Sequence, residues 1–359
     1  MSDKKIKIAI VGIGSQGKWG IEQYMKSPFI SEVVGVDIDP ERAAAISRQT
    51  GIKVYDNVDK LWEREDIELV FISTPPQTHK EIAFGAIAAG KAILLEKPIA
   101  TNLADSEEIV RRAGNKNLFL QIGLELHYSK LYIKIKEWLD QGRIGKLRNI
   151  ACLYNIGAII QSPENTWRYG KETSGGRFQE KLCHYIDLPR WWVGSKVDYI
   201  HCVSAPNIIP YYEVPDNFHC TFRFENGVMS HLSFVTGGAA NGNDDIMHID
   251  EMSDEGHMLT YIITGTEGAI NASVLKRDLK LIEHQGKRGV KESKILERVS
   301  WNSAEDHAYF HNSTDQNLDV IRRVAQGMEP GIDPIDSLET MRVCFEMEAD
   351  ALKNITPTR

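Results

Sequence analysis

Apolar residues along this chain follow two rhythms, and the change between them falls just after Gly123. Before it, short and nearly continuous apolar runs recur: Ile6–Val11, Glu32–Val36, Ile52–Tyr55, Leu69–Ser73, Ala92–Lys97 and Leu118–Ile122. Runs of that length with β-branched residues read as strands buried on both faces of a sheet. Between them lie stretches with helical spacing: one opening after Gly17, then Asp56–Arg64, then Thr78-His79 through Ala89 with Gly90 as its cap, then Leu103–Ala113. Strands alternating with helices at this spacing predict a doubly wound parallel sheet.

After Gly123 an amphipathic helix is predicted over Tyr128–Leu139, stopped by Gln141-Gly142. From Leu147 the alternation becomes that of half-buried strands: Leu147–Ile156, Val197–Ser204, Asn217–Phe224, Val228–Phe234, Met258–Thr264 and Ala269–Ala272. Asn226-Gly227 between two alternating runs is a hairpin signal. Gly237–Asp254, rich in Gly, Asn and Asp, reads as a long loop, and Ala304–Gln326 and Asp336–Asn354 as closing helices. The expected fold class is therefore α/β. Residues 1–124 form a Rossmann-type nucleotide-binding domain, and residues 125–359 an α/β domain on a large, mostly antiparallel open sheet.

Composition narrows the classes of partner. A net charge of −8 argues against nucleic acid or an anionic membrane surface. No apolar run approaches the length that spans a bilayer. The five cysteines are scattered, without CxxC spacing, and read as buried thiols in a reducing compartment. Met1–Lys5 lead straight into the first strand and its glycine motif without a secretory pattern, so a cytoplasmic location is expected.

Candidate chemistry gathers where strands end. The first strand runs into Gly12-Ile13-Gly14-Ser15-Gln16-Gly17, a GxGxxG turn that opens a helix. Its glycines permit close backbone approach to a pyrophosphate, and the helix N-terminus supplies unpaired N–H groups. The second strand ends in Asp37, followed by Ile38, about twenty residues on. An acid there accepts bonds from both ribose hydroxyls and repels a 2′-phosphate, which favours NAD over NADP. Arg42 keeps NADP from being excluded, and a turn or helix-cap role for Asp37 stays open. Right-handed crossovers put Thr74-Pro75, Glu96-Lys97-Pro98 and Gln121 on the same edge, nearer the nicotinamide. Lys97 ends an apolar strand and Pro98 stops its pairing.

A second dense stretch is Ser174-Gly175-Gly176-Arg177-Phe178-Gln179-Glu180-Lys181-Leu182-Cys183-His184-Tyr185-Ile186-Asp187. A helix from about Gln179 puts Glu180, His184 and Asp187 on one face, at i, i+4 and i+7, with Lys181 on its flank. Pro189 falls inside that helix and is expected to kink it near Tyr185. A histidine beside a carboxylate is a suitable proton acceptor for an alcohol. A salt-bridged helix face with a structural histidine is the alternative. No second ligand group at matching spacing accompanies the set, so no metal is expected. Trp167-Arg168 can line a sugar site, ring against C–H face and guanidinium on hydroxyls or a phosphate, or can pack its loop down. His127 lies at the projected edge of Lys97, or packs at a helix start. Trp191-Trp192 reads as core or subunit contact.

In their order, Gly12–Gly17, Thr74-Pro75 with His79, Glu96-Lys97-Pro98, Trp167-Arg168, Ser174-Gly175-Gly176, the Glu180–His184–Asp187 helix and Gly265-Thr266-Glu267-Gly268 make a pattern that resembles the glucose–fructose oxidoreductase/inositol dehydrogenase family (Gfo/Idh/MocA). The resemblance spans nearly the whole chain. It implies a tightly held NAD(P) and oxidation of a secondary hydroxyl on a sugar, glycoside or cyclitol. It also implies an open sheet that forms a homodimer or homotetramer interface. Lys97 matches the family's catalytic lysine and His184 its general base, while Glu180 stands where many members carry Asp. Lys181 replaces a usual apolar residue, which points to a different substrate arrangement. The cofactor set implied is Gly12, Ile13, Gly14, Ser15, Gln16, Gly17, Asp37, Ile38, Thr74, Pro75, His79, Glu96, Lys97 and Gln121. The substrate set is Lys97, His127, Trp167, Arg168, Glu180, Lys181 and His184. Some relatives use NAD transiently and cleave or eliminate without net redox change, which is the alternative outcome.

Overall fold

The computed structural model describes residues 4–64, 66–157, 167–168, 170–209, 212–238, 258–284, 293–302 and 311–355. The chain divides into two compact units, the first made of residues 1–125, 172–175 and 313–342, the second of residues 126–171, 176–312 and 343–359.

The first unit opens with β1 (Ile6–Val11), α1 (Ser15–Lys26), β2 (Ile30–Val36), α2 (Pro40–Thr50), β3 (Lys53–Tyr55) and α3 (Asp59–Trp62). It continues with β4 (Leu69–Ile72), α4 (His79–Ala88), β5 (Ala92–Glu96), α5 (Leu103–Asn115) and β6 (Leu120–Gly123). The strand order is β3-β2-β1-β4-β5-β6, and every pairing is parallel. The order reverses at β1, so the ends of β1 and β4 flank a crevice of the kind in which such sheets bind ligands. Helix starts follow local chemistry. Asp39 accepts from the N–H groups of Glu41 and Arg42, Pro40 takes the first helical position, and Gly51 closes α2 in the left-handed region. The helix expected over Asp56–Arg64 shortens to α3 because the Asn57 side chain accepts from the Asp59 N–H and holds the preceding turn open.

The second unit begins with a 3₁₀ turn, Glu125–Tyr128, whose first residue groups with the first unit, and then α6 (Lys130–Asp140). It continues with β7 (Leu147–Gly157), a π-helical turn Phe178–Leu182 and α8 (Cys183–Val193), while the short α7 (Lys171–Ser174) belongs, after its first residue, to the first unit. β8 (Val197–Val203), β9 (Asn217–Phe224), β10 (Met229–Gly238), β11 (Met258–Gly265), β12 (Gly268–Ser273), β13 (Asp278–His284) and β14 (Ser293–Ser300) complete it. The sheet order is β14-β13-β12-β11-β7-β10-β9-β8. All its pairs are antiparallel except β7 with β10. One face is buried aromatic core: Tyr154 packs on Tyr185 and Phe234, and Tyr261 on Tyr132 and Trp192. Gly227 takes φ +83 in the β9–β10 hairpin, with its N–H on the Phe224 carbonyl.

Strands β13 and β14 are additions to the sequence expectation. β13 buries only Leu279 and Leu281, and β14, at the sheet edge, carries Lys294, Glu297 and Arg298 and lacks an apolar face. Of the expected loop Gly237–Asp254, the first two residues end β10 and the rest lie outside the described residues. So do residues 304–310 of the expected helix Ala304–Gln326, which is observed as α9 (Ser313–Gln326). The last helix is α10 (Pro334–Lys353). The sequence reading puts α9 with residues 125–359, but by packing it returns to the first unit, where Val320, Ile321 and Ala325 join the core of β1, β4 and α1. Amphipathic spacing marks a buried face without saying which core it covers.

Candidate active site

At the carboxyl edge of the parallel sheet, the glycine turn is built for close approach. Gly12 sits at φ +85, and a Cβ there would lie 2.8 Å from Thr74 Cγ2. A Cβ on Gly17 would lie 2.1 Å from the Gly12 carbonyl oxygen, so only glycine lets α1 begin against the turn. The Ser73 hydroxyl donates to the Gly12 carbonyl at 2.7 Å and ties the turn to the end of β4. Gly14, the residue before α1, makes no side-chain cap, and among the described residues nothing lies within 4 Å of where its Cβ would be. The first N–H groups of a helix have no intrahelical partner, which suits the start of α1 to a pyrophosphate. The backbone of Ser15 and Gln16 opens α1; their side chains lie outside the described residues.

Asp37 is buried at the end of β2. Its carboxylate accepts from the N–H of Ile13 at 3.1 Å and of Asp39 at 2.9 Å. The half-exposed Arg42 guanidinium reaches both oxygens, at 3.2 and 3.1 Å, and also Asp39 at 3.2 Å. Ile38 beside it is 90% exposed, an apolar surface open to a ring. The Asp37–Arg42 pairing goes beyond what the sequence assigns to either residue.

His79 is fully buried beneath two of the strand-end loops. Its Nδ1 lies 2.8 Å from the Pro98 carbonyl oxygen and its Nε2 2.9 Å from that of Thr74. It clasps the Thr74-Pro75 loop to the Lys97-Pro98 loop, whose connecting peptide is cis. Burial pulls its pKa down, and the backbone bonds oppose this. With 0% exposure, it holds the two loops from beneath, and its expected place in the cofactor set is through them. Gln121, also buried, accepts from the Gly331 N–H at 2.7 Å and ties β6 to the returning segment. Glu96 keeps part of its surface open, but burial of its carboxyl, with Glu125 adding and Lys97 opposing, pushes it up to about 8. A Cβ on Gly123 would lie 3.1 Å from its Oε2, so glycine makes room for that carboxyl.

In the second unit, Gly176 at φ +115 precedes the π turn, and a Cβ there would fall 2.0 Å from the Glu348 carboxylate. Glu348 pairs with Lys171 at 2.5 Å. The expected single face of Glu180, His184 and Asp187 assumes α spacing throughout. The π turn over Phe178–Leu182 breaks that phase, and α8 begins only at Cys183 and runs on through Pro189. Each of the three therefore has its own neighbours. Glu180, 1% exposed, accepts from Arg168 at 2.7 Å and from Arg177 at 3.4 Å. Asp187 bonds His127 Nε2 at 2.5 Å. His184, equally buried, meets the His311 ring edge to face at 5.4 Å.

Three further placements complete this unit's site. The His127 ring stacks on Trp191 at 4.2 Å, which assigns that tryptophan a role beside the Asp187 pair, whereas Trp192 is core. The Arg168 guanidinium lies over the Trp167 ring at 4.7 Å. Lys181 lies 5.7 Å from the Tyr154 ring. Arg177 and His311 were not singled out by the sequence: Arg177 stood unweighted beside the glycine pair, and His311 carries no local motif.

Comparison with known proteins settles the lineage. Residues 6–124 match the model of an oxidoreductase family with an NAD-binding Rossmann fold, and residues 132–271 match the GFO/IDH/MocA C-terminal domain. The chain belongs to the Gfo/Idh/MocA oxidoreductase family. Its first unit is accordingly an NAD-binding Rossmann domain, and the glycine turn and Asp37 fit that cofactor. Relatives within the family include 2,7-anhydro-N-acetylneuraminate hydratase of Mediterraneibacter gnavus, 30% identical over 54% of this chain and 50% of its own length. Levoglucosan dehydrogenase of Pseudarthrobacter phenanthrenivorans is 24% identical over 77% of this chain and 75% of its own. Inositol 2-dehydrogenase 3 of Saccharopolyspora erythraea is 28% identical over 57% of each chain. The chain spans about half the length of several of these relatives. The fold matches a solved levoglucosan dehydrogenase in complex with NADH, with TM-score 0.81, 20% identity and 98% of both chains covered. No helix among the described residues is long and apolar enough to cross a membrane.

Proposed function

We propose that this protein is an NAD-dependent dehydrogenase that oxidises a secondary hydroxyl of a sugar, glycoside or cyclitol. The observation that carries the reading is Lys97 at the end of β5, two strands from the glycine turn of β1 in a family of NAD-binding oxidoreductases. Two strand spacings are about 10 Å, the reach from a pyrophosphate held at the turn toward its nicotinamide. Relatives named for inositol and levoglucosan dehydrogenation support the substrate class.

Gly12–Gly17, Asp37 and Ile38 would hold the pyrophosphate and adenosine half, and Thr74-Pro75, Glu96 and Lys97 the nicotinamide half. NAD, when bound, supplies the hydride acceptor. Lys97, as a cation, stabilises the developing alkoxide. His184 accepts the hydroxyl proton, and Glu180 positions Arg168 and Arg177 beside the same helix. General-base assistance is worth ~10²–10⁴ in rate. Lys97→Ala and His184→Ala should each lower turnover by at least that order while NAD affinity, read by calorimetry, stays near wild type. Turnover close to wild type in both variants would overturn the assignment.

The hydratase among the relatives favours a second reading. In it the same residues serve a redox-neutral elimination or glycoside cleavage through a transient keto-sugar. Release of an eliminated product without accumulated reduced cofactor distinguishes it.

The open face of the eight-stranded sheet supports a homodimer or homotetramer. Ile262 and Ile295 are 43% and 55% exposed there, Ile262 between Ala151 and Asn271 and Ile295 beside Ile282 across the register. All five cysteines are buried thiols, including Cys202 and Cys220, which stand directly opposite each other on β8 and β9. That supports a reducing, cytoplasmic setting.

A further inference from the structure

The sequence leaves the substrate's substituents open; the charges around the π turn narrow them. In the second unit, buried Asp187 pairs with His127 and buried Glu348 with Lys171, while buried Asp216 accepts from the Ile209 N–H and the Asn217 amide. Glu180 is different: two guanidiniums share it. Arg177, 3% exposed, lies in the same turn and also donates to Thr236 at 3.3 Å, with its guanidinium over the Tyr212 and Phe234 rings. A guanidinium does not lose its proton in a protein, so Arg177 alone matches the charge of Glu180. Arg168 is then a second, surplus cation. Its side chain is 34% exposed, fixed on one side by Glu180 and on a face by Trp167. Lys181, next in sequence to Glu180, forms no ion pair among the described residues and rests near Tyr154. The Arg168–Glu180–Arg177 cluster carries one positive charge beyond its acid, with Lys181 the next residue along the chain, in a protein whose net charge is −8.

Holding cations partly out of water without a counter-charge is costly. A neutral hydroxyl would satisfy guanidinium N–H groups but leave that charge unmatched. We propose that Arg168, braced by Glu180 and Trp167, and Lys181 bind an anionic substituent of the substrate, so that the preferred substrate is an acidic sugar, a uronate-type carboxylate or a sugar phosphate. Arg168, already oriented, offers its free edge to two oxygens of such a group, and Lys181 adds a point charge. This rests on the sugar-dehydrogenase reading above and specifies its substrate.

The test uses the full chain with NAD and matched probes: glucose, glucuronate and glucose 6-phosphate, and the corresponding galactose set. Binding is measured by calorimetry and oxidation by nicotinamide absorbance. One acidic member of a set should exceed its neutral parent in affinity and in kcat/KM by about 10–100-fold, the worth of a charge-assisted contact. Which acid gains it distinguishes carboxylate from phosphate. The advantage should shrink with added salt. In Arg168→Gln the acid-to-neutral ratio should fall toward one, and in Lys181→Met it should fall in part, with circular dichroism unchanged. Equal binding of neutral and acidic probes overturns the proposal, as does a ratio that survives both substitutions, or calorimetry that finds neither acid bound. Oxidation of neutral sugars alone would leave the dehydrogenase reading intact and remove this one. Acid binding without oxidation of any probe would do the reverse.

Discussion

Asp37 engages the glycine turn through Ile13 and the next helix through Asp39, while Arg42 covers its outer side. The carboxylate thus ties the turn to the next helix, and in the proposed cofactor role it keeps engaged a cation that would otherwise face a 2′-phosphate. Replacing it by serine removes the repulsion and releases Arg42 from its nearer partner. Asp37→Ser should shift the NAD-to-NADP affinity ratio toward NADP by about 10–100-fold, measured by calorimetry with both dinucleotides; an unchanged ratio would contradict the pairing. Glu96 carries a pH signature. With its folded pKa pushed up to about 8 against an ordinary 4.5, the folded chain holds a proton that the unfolded chain releases across that window. Its contribution to stability is complete at low pH and is lost as pH rises through 8, with a slope of at most ~1.4 kcal/mol per pH unit. His79, lowered by burial, acts with opposite sign as pH falls below 6.5, so variant and wild type are compared. Glu96→Gln should gain stability over wild type between about pH 5 and about pH 8 in denaturant melts, and a pH-independent difference would refute it. The turn glycines, Asp37, Lys97 and His184 are legible in sequence because each sits in a short local pattern. The Arg42 pair, the His79 clasp and the His311 contact join residues whose meeting only tertiary structure specifies.

At the scale of elements, the central strands of the first unit were legible because burial on both faces leaves unbroken apolar runs, as in β4 and β5. Edge strand β14 was not, because it has little to bury. The helix carrying His184 was legible in place but not in phase. Nothing in Phe178–Leu182 announces a π turn, and that turn is what gives Glu180 neighbours apart from those of Asp187. Gly176 sets its entry. Its positive φ and the Glu348 carboxylate both exclude a side chain. Gly176→Ala should cost ~1–3 kcal/mol for the backbone alone, read as a lower unfolding midpoint, whereas alanine at Gly14, where space is open, should cost less. Equal effects at the two glycines would contradict the packing described.

For the molecule as a whole, the sequence separated a nucleotide-binding half from a sheet-rich half, and the family match covers both. The return of α9 to the first core was hidden, since periodicity names a face and not its partner. The second unit's sheet carries exposed Ile262 on the central strand β11, with Ile295 and Tyr199 on its two edge strands, and Ile262 is the residue whose change tests this face as a contact between copies. Ile262→Glu should move the protein to a smaller species in light scattering coupled to gel filtration, and an unchanged mass would exclude this face as the contact. The central claim, hydride removal from a sugar hydroxyl with Lys97 and His184 as the acting groups, is tested most directly by mixing NAD-loaded protein in excess with the acidic and neutral sugar panel in a single turnover. The account predicts reduced nicotinamide appearing with at least one sugar in wild type and abolished in His184→Ala. Bound NAD that stays oxidised with every member of the panel, or reduction undiminished in His184→Ala, would contradict it.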